Sequence, residues 1–132
     1  MIRAREAEQL TLKHEAERLA RLGIRIPPVW MAIEDNTAGY DIQSFDLGAE
    51  GPVARLIEVK STIASPLRFF LSRNEWETAK KYGGTYHFHI WDLQVPRLYE
   101  RTVADIAPHI PTDNEKGSWS TVHIPVVQVA VS

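Results

Sequence analysis

Cysteine is absent from the 132-residue sequence, which excludes disulfides, zinc ribbons, iron–sulfur clusters and thiol catalysis, and leaves oxygen and imidazole as the ligands for any metal. Long apolar runs are absent as well. No stretch approaches the roughly 18 apolar residues of a membrane span, and the opening MIRAREAEQLTLKHEAERLARLG is too charged for a secretion signal. A soluble, cytoplasmic protein without a membrane partner is expected. The sequence also lacks an excess of one charge: fifteen Lys and Arg against seventeen Asp and Glu give a net charge of -2. That is not the basic balance of a dedicated nucleic-acid binder, although an acidic site that holds a cation lowers the net charge by itself. Repeats and low-complexity tracts are lacking. With 44% hydrophobic residues, the chain suffices for one core, so a single domain over 1–132 is expected.

The patterning that is present predicts helix first. Residues 2–22 read as an amphipathic helix with Leu12, Ala16, Leu19 and Ala20 on one face and Gly23 as its C-cap. Pro27 and Pro28 exclude helix, and Val29, Met31 and Ile33 alternate as a short extended run. A second strand is expected over 39–45 and a third over 53–62, joined by a compact turn so that the two pair as a hairpin. Residues 67–71 read as a short strand, and Ser72 followed by Glu75 has capping-box spacing for a helix to about Tyr82, stopped by Gly83 and Gly84. Strands over 85–92 and 98–103, a polar loop over 111–117 and a terminal extended region over 119–131 complete the order. The fold class is α/β (α+β), with helices packed on a mixed sheet.

Charges stand where strands should be apolar: Asp41 within Gly39-Tyr40-Asp41-Ile42, and Glu58-Val59-Lys60 directly after Leu56-Ile57. Buried charges are rare unless paired or metal-bound. Strand alternation puts Glu58 and Lys60 on one face, and a paired neighbouring strand brings Asp41 beside them. Two carboxylates and an ammonium suit a hard divalent cation, Mg²⁺ or Mn²⁺, with Asp41, Glu58 and the Val59 backbone carbonyl as ligands. Lys60 would either assist deprotonation of the attacking water or stabilise charge developing on a phosphate. Phosphodiester hydrolysis is the chemistry such a set supports.

These residues resemble the PD-(D/E)xK nuclease superfamily, the restriction-endonuclease-like enzymes. More narrowly, Lys13-His14-Glu15, Gly39 to Phe45, Ile57-Glu58-Val59-Lys60-Ser61-Thr62 and Leu71-Ser72-Arg73-Asn74-Glu75-Trp76 are similar to the domain at the C-terminus of the plant protein No Vein. The resemblance covers about residues 6–95. It implies an αβββαβ core, Asp41 and Glu58 as metal ligands, Lys60 as the catalytic lysine, and a carboxylate from the first helix, while the extra C-terminal strands read from the pattern lie beyond it. Glu15 matches that last position best, with Glu8 one heptad earlier as the alternative. Tyr40 stands where the superfamily has its proline.

Each feature also has a plainer reading. An E-x-K on a strand often marks only a charged solvent face, and Glu15 and Glu8 could pair with Arg18, Lys13 or Arg5 along the helix. His87 and His89 form a His-x-His pair without an evident third ligand, which reads as a polar strand face. Ser72, Glu75 and Trp76 are accounted for by capping and packing. Arg68, Arg73, Lys80 and Lys81 offer a surface for phosphate contacts. The expectation is an endonuclease-like enzyme acting on DNA, as a homodimer or within a larger assembly because one small unit offers little surface for a duplex. The alternative is a catalytically silent module that keeps the fold for binding protein or nucleic acid.

Overall fold

A computed structural model of the chain describes residues 2–35, 37–64, 66–113 and 117–126. Helix α1 (Ile2–Leu22) leads to a two-residue strand β1 (Val29–Trp30), a single helical turn α2 (Met31–Glu34), and the strands β2 (Ile42–Gly48) and β3 (Gly51–Thr62). Strand β4 (Arg68–Ser72), helix α3 (Arg73–Tyr82), strands β5 (Tyr86–Asp92) and β6 (Arg97–Thr102), the short helix α4 (Val103–Ile106) and strand β7 (Thr121–Pro125) follow. Five strands form a mixed sheet in the order β1-β2-β3-β5-β6, while β4 and β7 pair as a separate antiparallel ribbon. Among the described strands only β3 and β5 run parallel, and α3 lies in the crossover that a parallel pair requires. This is the expected αβββαβ core, with its extra strands at the C-terminal end.

Alternation along β3 separates two packing layers. Leu56, with Tyr86, Phe88 and Ile90 of β5, packs against Phe69, Leu71, Trp76 and Ile106. Ile57 and Val59, with Ile42 and Trp91, pack beneath α1 around Ala7. The capping box predicted for α3 is present: Glu75 N–H donates to Ser72 Oγ at 3.1 Å, and Ser72 N–H donates to Glu75 Oε1 at 2.9 Å. At the end of α1, Gly23 takes φ +75, and the Ile24 amide turns back to the Leu19 carbonyl at 3.0 Å, as expected of a glycine C-cap.

Four sequence expectations are corrected. The predicted apolar stripe of α1 is out of phase. The buried face is Ala7, Glu8, Thr11, Glu15 and Leu19, whereas Leu12 is half-buried and Ala16 and Ala20 are exposed. Polar residues occupy the inner face because partners meet them there: Trp91 Nε1–H donates to Thr11 Oγ1 at 2.8 Å, and the Arg18 guanidinium donates to Glu15 Oε1 at 2.8 Å. The extended run expected through Ile33 stops at Trp30, because the Ala32 amide turns to the Asp41 carbonyl at 3.0 Å and residues 31–34 coil into α2. Strand β2 starts at Ile42 rather than Gly39, so Asp41 sits in the bend just before it. At the other end, Val103 opens α4 behind a Thr102–Asp105 capping box instead of closing β6. The part of the expected terminal strand beyond residue 126 lies outside the described residues.

Candidate functional site

The β2–β3 register pairs Ile42 with Ile57, which sets Asp41 opposite Glu58 where β2 begins. Asp41 continues the ladder by other means: its amide donates to the Ile57 carbonyl at 2.9 Å, and its Oδ2 accepts the Val59 amide at 2.8 Å. A residue's N–H and C=O point to the same side of a strand, so the Val59 carbonyl also faces the Asp41 side. Asp41 and Glu58 line one cleft of about 420 Å³ together with Glu8 from α1 and Glu75 from α3. Arg5 and Asn74 stand at its walls.

Lys60 lies two residues beyond Glu58 on the same face of β3. Its Nζ donates to both oxygens of Glu75 at 2.8 Å and lies 3.5 Å from Glu58 Oε2. The Tyr86 hydroxyl donates to the Gly39 carbonyl at 2.9 Å and sits 3.4 Å from Glu58 Oε1. Gly39 has φ +88, and a Cβ there would come within 2.9 Å of the Thr78 side chain. The bend that presents Asp41 therefore requires glycine at this point.

The electrostatics are those of crowded, partly desolvated carboxylates. Burial, opposed by the Val59 amide and reinforced by the Glu8 charge, pushes Asp41 up to about 6. Glu58 is raised well above the usual carboxylate range, by burial first and by Asp41 second. Burial pulls on Lys60 in the opposite sense, but the carboxylates of Glu58, Glu75 and Asp41 outweigh it and hold the ammonium above its ordinary range. Glu75 is lowered despite its burial because Lys60 is its partner. The arrangement thus contains two carboxylates that are costly to ionise without a cation, beside a lysine already neutralised by a third carboxylate.

The structure brings together Asp41, Glu58, Lys60 and the Val59 backbone. It does not place Glu15 with them: Glu15 is absent from the cleft and is gripped two turns further along α1 by Arg18, with Nε 3.1 Å from each oxygen. The helix carboxylate at the cleft is Glu8, which accepts the Trp30 indole N–H at 2.7 Å and the Arg5 guanidinium at 2.9 Å. Sequence reasoning assigned Glu75 only to capping, yet one side chain performs both tasks. Its capping role was legible from Ser72, whereas its contact with Lys60 depends on how α3 meets the sheet. The basic residues near α3 are engaged within the chain. Arg73 pairs with Asp113 at 2.5 Å and lies over Trp119, Lys80 pairs with Glu77 at 3.2 Å, and Lys81 lies over Tyr82.

An αβββαβ core whose acidic cleft opens where β2 and β3 begin their pairing defines a nuclease-like fold, and the overall architecture is similar to that of a solved nuclease from a fusselovirus. The TM-score is 0.55 at 15% identity, over 92% of this chain and 82% of that one; at this identity the likeness is one of fold. Residues 7–100 match the family described as the C-terminal domain of protein NO VEIN, and the chain belongs to that family. No curated protein matches the chain.

Proposed function

We propose that the chain is a nuclease that hydrolyses phosphodiester bonds in DNA with a divalent cation, Mg²⁺ or Mn²⁺, held by Asp41, Glu58 and the Val59 carbonyl. The observation that carries this reading is the pair of raised carboxylates lining one open cleft, with a charged lysine 3.5 Å from Glu58. The donor set fits the ion. Hard oxygen ligands suit Mg²⁺, and carboxylates that resist ionisation when alone gain most from a cation between them. When bound, the ion would supply Lewis-acid polarisation of a phosphate oxygen and offset charge in the transition state.

The chain's own residues supply the remaining tasks. Lys60 keeps its proton at neutral pH, so its part is to donate a hydrogen bond to the phosphate and stabilise developing charge rather than to act as a base. Glu75, itself fixed by the α3 capping box, orients the Lys60 ammonium. Tyr86 orients Glu58, and Arg5 and Asn74 offer donors at the cleft wall for a phosphate or sugar. Glu8, not Glu15, is the α1 carboxylate placed to join the acidic set.

The test is calorimetric titration of Mn²⁺ into the wild type, Asp41→Ala and Lys60→Ala. The expected result is saturable binding that Asp41→Ala abolishes and Lys60→Ala retains, with Lys60→Ala losing hydrolysis of DNA at least a hundredfold. Equal, negligible heats in all three proteins would overturn the metal assignment.

A further inference from the structure

On the face of the sheet opposite the acidic cleft, α1 and β5 build a second polar cluster. The ring of His89, fully buried, meets His14 edge-on with centroids 5.6 Å apart. His14 Nδ1 lies 3.2 Å from Glu15 Oε2, and His89 Nε2 lies 3.2 Å from Glu100 Oε1. One ligand atom from each of His14, Glu15 and His89 can be chosen so that all three lie within 4.8 Å of one another. We propose that His14, Glu15 and His89 form a second metal site, for a divalent transition ion of the zinc class, separate from the oxygen-lined cleft.

Three observations carry this. The first is His89 Nε2, which is buried 3.2 Å from Glu100 Oε1 in a contact that is not aligned as a hydrogen bond. His89 Nδ1 is 3.2 Å from Thr11 Oγ1, which also accepts the Trp91 indole N–H. When Nδ1–H donates to Thr11, the Nε2 lone pair points toward the Glu100 carboxylate, an arrangement that a cation between them relieves. A ring nitrogen whose other N–H is held by an oxygen is how histidine ligands are usually fixed.

The second is charge. Glu15, Asp46 and Glu100 meet the guanidiniums of Arg18 and Arg55, with contacts from 2.8 to 3.6 Å. Three carboxylates thus face two guanidiniums. Arg18 engages both oxygens of Glu15, but a carboxylate offers about four acceptor positions and can take an ion besides. The third is spacing. Tetrahedral ligands with bonds of about 2.0 Å stand roughly 3.3 Å apart, the separation already found between His14 Nδ1 and Glu15 Oε2. Two imidazoles and one carboxylate favour zinc, nickel or cobalt over magnesium. The His14 side chain is 30% exposed and provides the way in. The ion would pin α1 to β5.

The test uses full-length Asp41→Asn/Glu58→Gln protein, which removes the carboxylate ligands of the first site, titrated with Co²⁺ and followed by visible absorption. One Co²⁺ per chain is expected, with the intense bands of a four-coordinate ion, displaced by Zn²⁺. Adding His14→Ala, a partly exposed position, should remove those bands or weaken binding at least tenfold while the protein still melts cooperatively. The proposal is overturned if no such bands appear, or if they persist unchanged without His14. His14→Gln gives a second variant should the alanine protein fail to fold.

Discussion

Replacing Asp41 by asparagine should stabilise the protein while disabling its proposed metal centre. Asp41 is held at about 6 against a reference value of 3.8, chiefly by burial. Its folded value is the higher one, so the folded state favours the neutral form. That contribution is fully present below pH 4 and is lost as pH rises through 6. The full difference of about two pH units corresponds to about 3 kcal/mol of stability forgone at pH 8. Allowing for partial solvent access and relaxation, about 1.5–3 kcal/mol is the range to test. Asparagine keeps an oxygen to accept the Val59 amide but carries no charge, so this penalty disappears.

At about 4 °C per kcal/mol for a chain of this size, the melting temperature of Asp41→Asn should exceed that of the wild type by about 6–12 °C at pH 8. The gap should shrink to about 2 °C at pH 4, where the wild-type carboxyl is already mostly protonated. Differential scanning calorimetry at several pH values, with chelator present, makes the measurement. Saturating Mn²⁺ should then raise the melting temperature of the wild type and leave that of Asp41→Asn unchanged, since an ion stabilises only the state that binds it. A destabilised Asp41→Asn protein, or a difference equal at pH 4 and pH 8, would refute the view that this carboxylate is strained by desolvation.

Two further predictions concern other charged contacts. Arg18→Ala leaves the fully buried Glu15 without its bidentate partner and should cost about 3–5 kcal/mol in urea unfolding, far more than an exposed ion pair would; a loss below 1 kcal/mol would show that Arg55 or water compensates. Glu75→Gln retains an acceptor for the Ser72 amide but loses its charge opposite Lys60. Stability should therefore change by less than about 1 kcal/mol, while DNA hydrolysis, measured as a rate against pH, should fall and its basic limb should move to lower pH as the lysine loses a stabilising carboxylate.

Glu58 and Lys60 stand out in the sequence because they interrupt an apolar strand, and Asp41 because it directly precedes one; the energy of burying charge makes such positions informative. Helix α3 was equally legible, since a capping box is a local device whose partners lie three residues apart. The helix carboxylate was not. Glu8 and Glu15 both lie on the buried face of α1, and the choice between them depends on where along the helix β2 and β3 begin to pair, a distance set by packing. The same limit hid the true face of α1. An apolar stripe selects Ala16 and Ala20, while Thr11 and Glu15 are buried because Trp91, Arg18 and His89 reach them from remote or neighbouring positions.

Strand β3 links both polar clusters, and its alternation bears on whether the fold is kept for chemistry. Glu58 lines the cleft with Lys60 beside it, Arg55 faces the His14–Glu15–His89 side, and apolar Leu56, Ile57 and Val59 fill the positions between. A module retained only as a binding scaffold would gain stability by replacing Asp41 and Glu58 with neutral residues of similar shape, because each ionised carboxylate there opposes folding. The Lys60 charge offsets that strain only in part, since its closest contacts are to Glu75 at 2.8 Å, with Glu58 at 3.5 Å, and both carboxylates stay raised. Strain that persists while a single substitution would remove it is expected of a site whose ionised form is used, and it weighs toward a centre that binds a cation rather than one that has fallen silent.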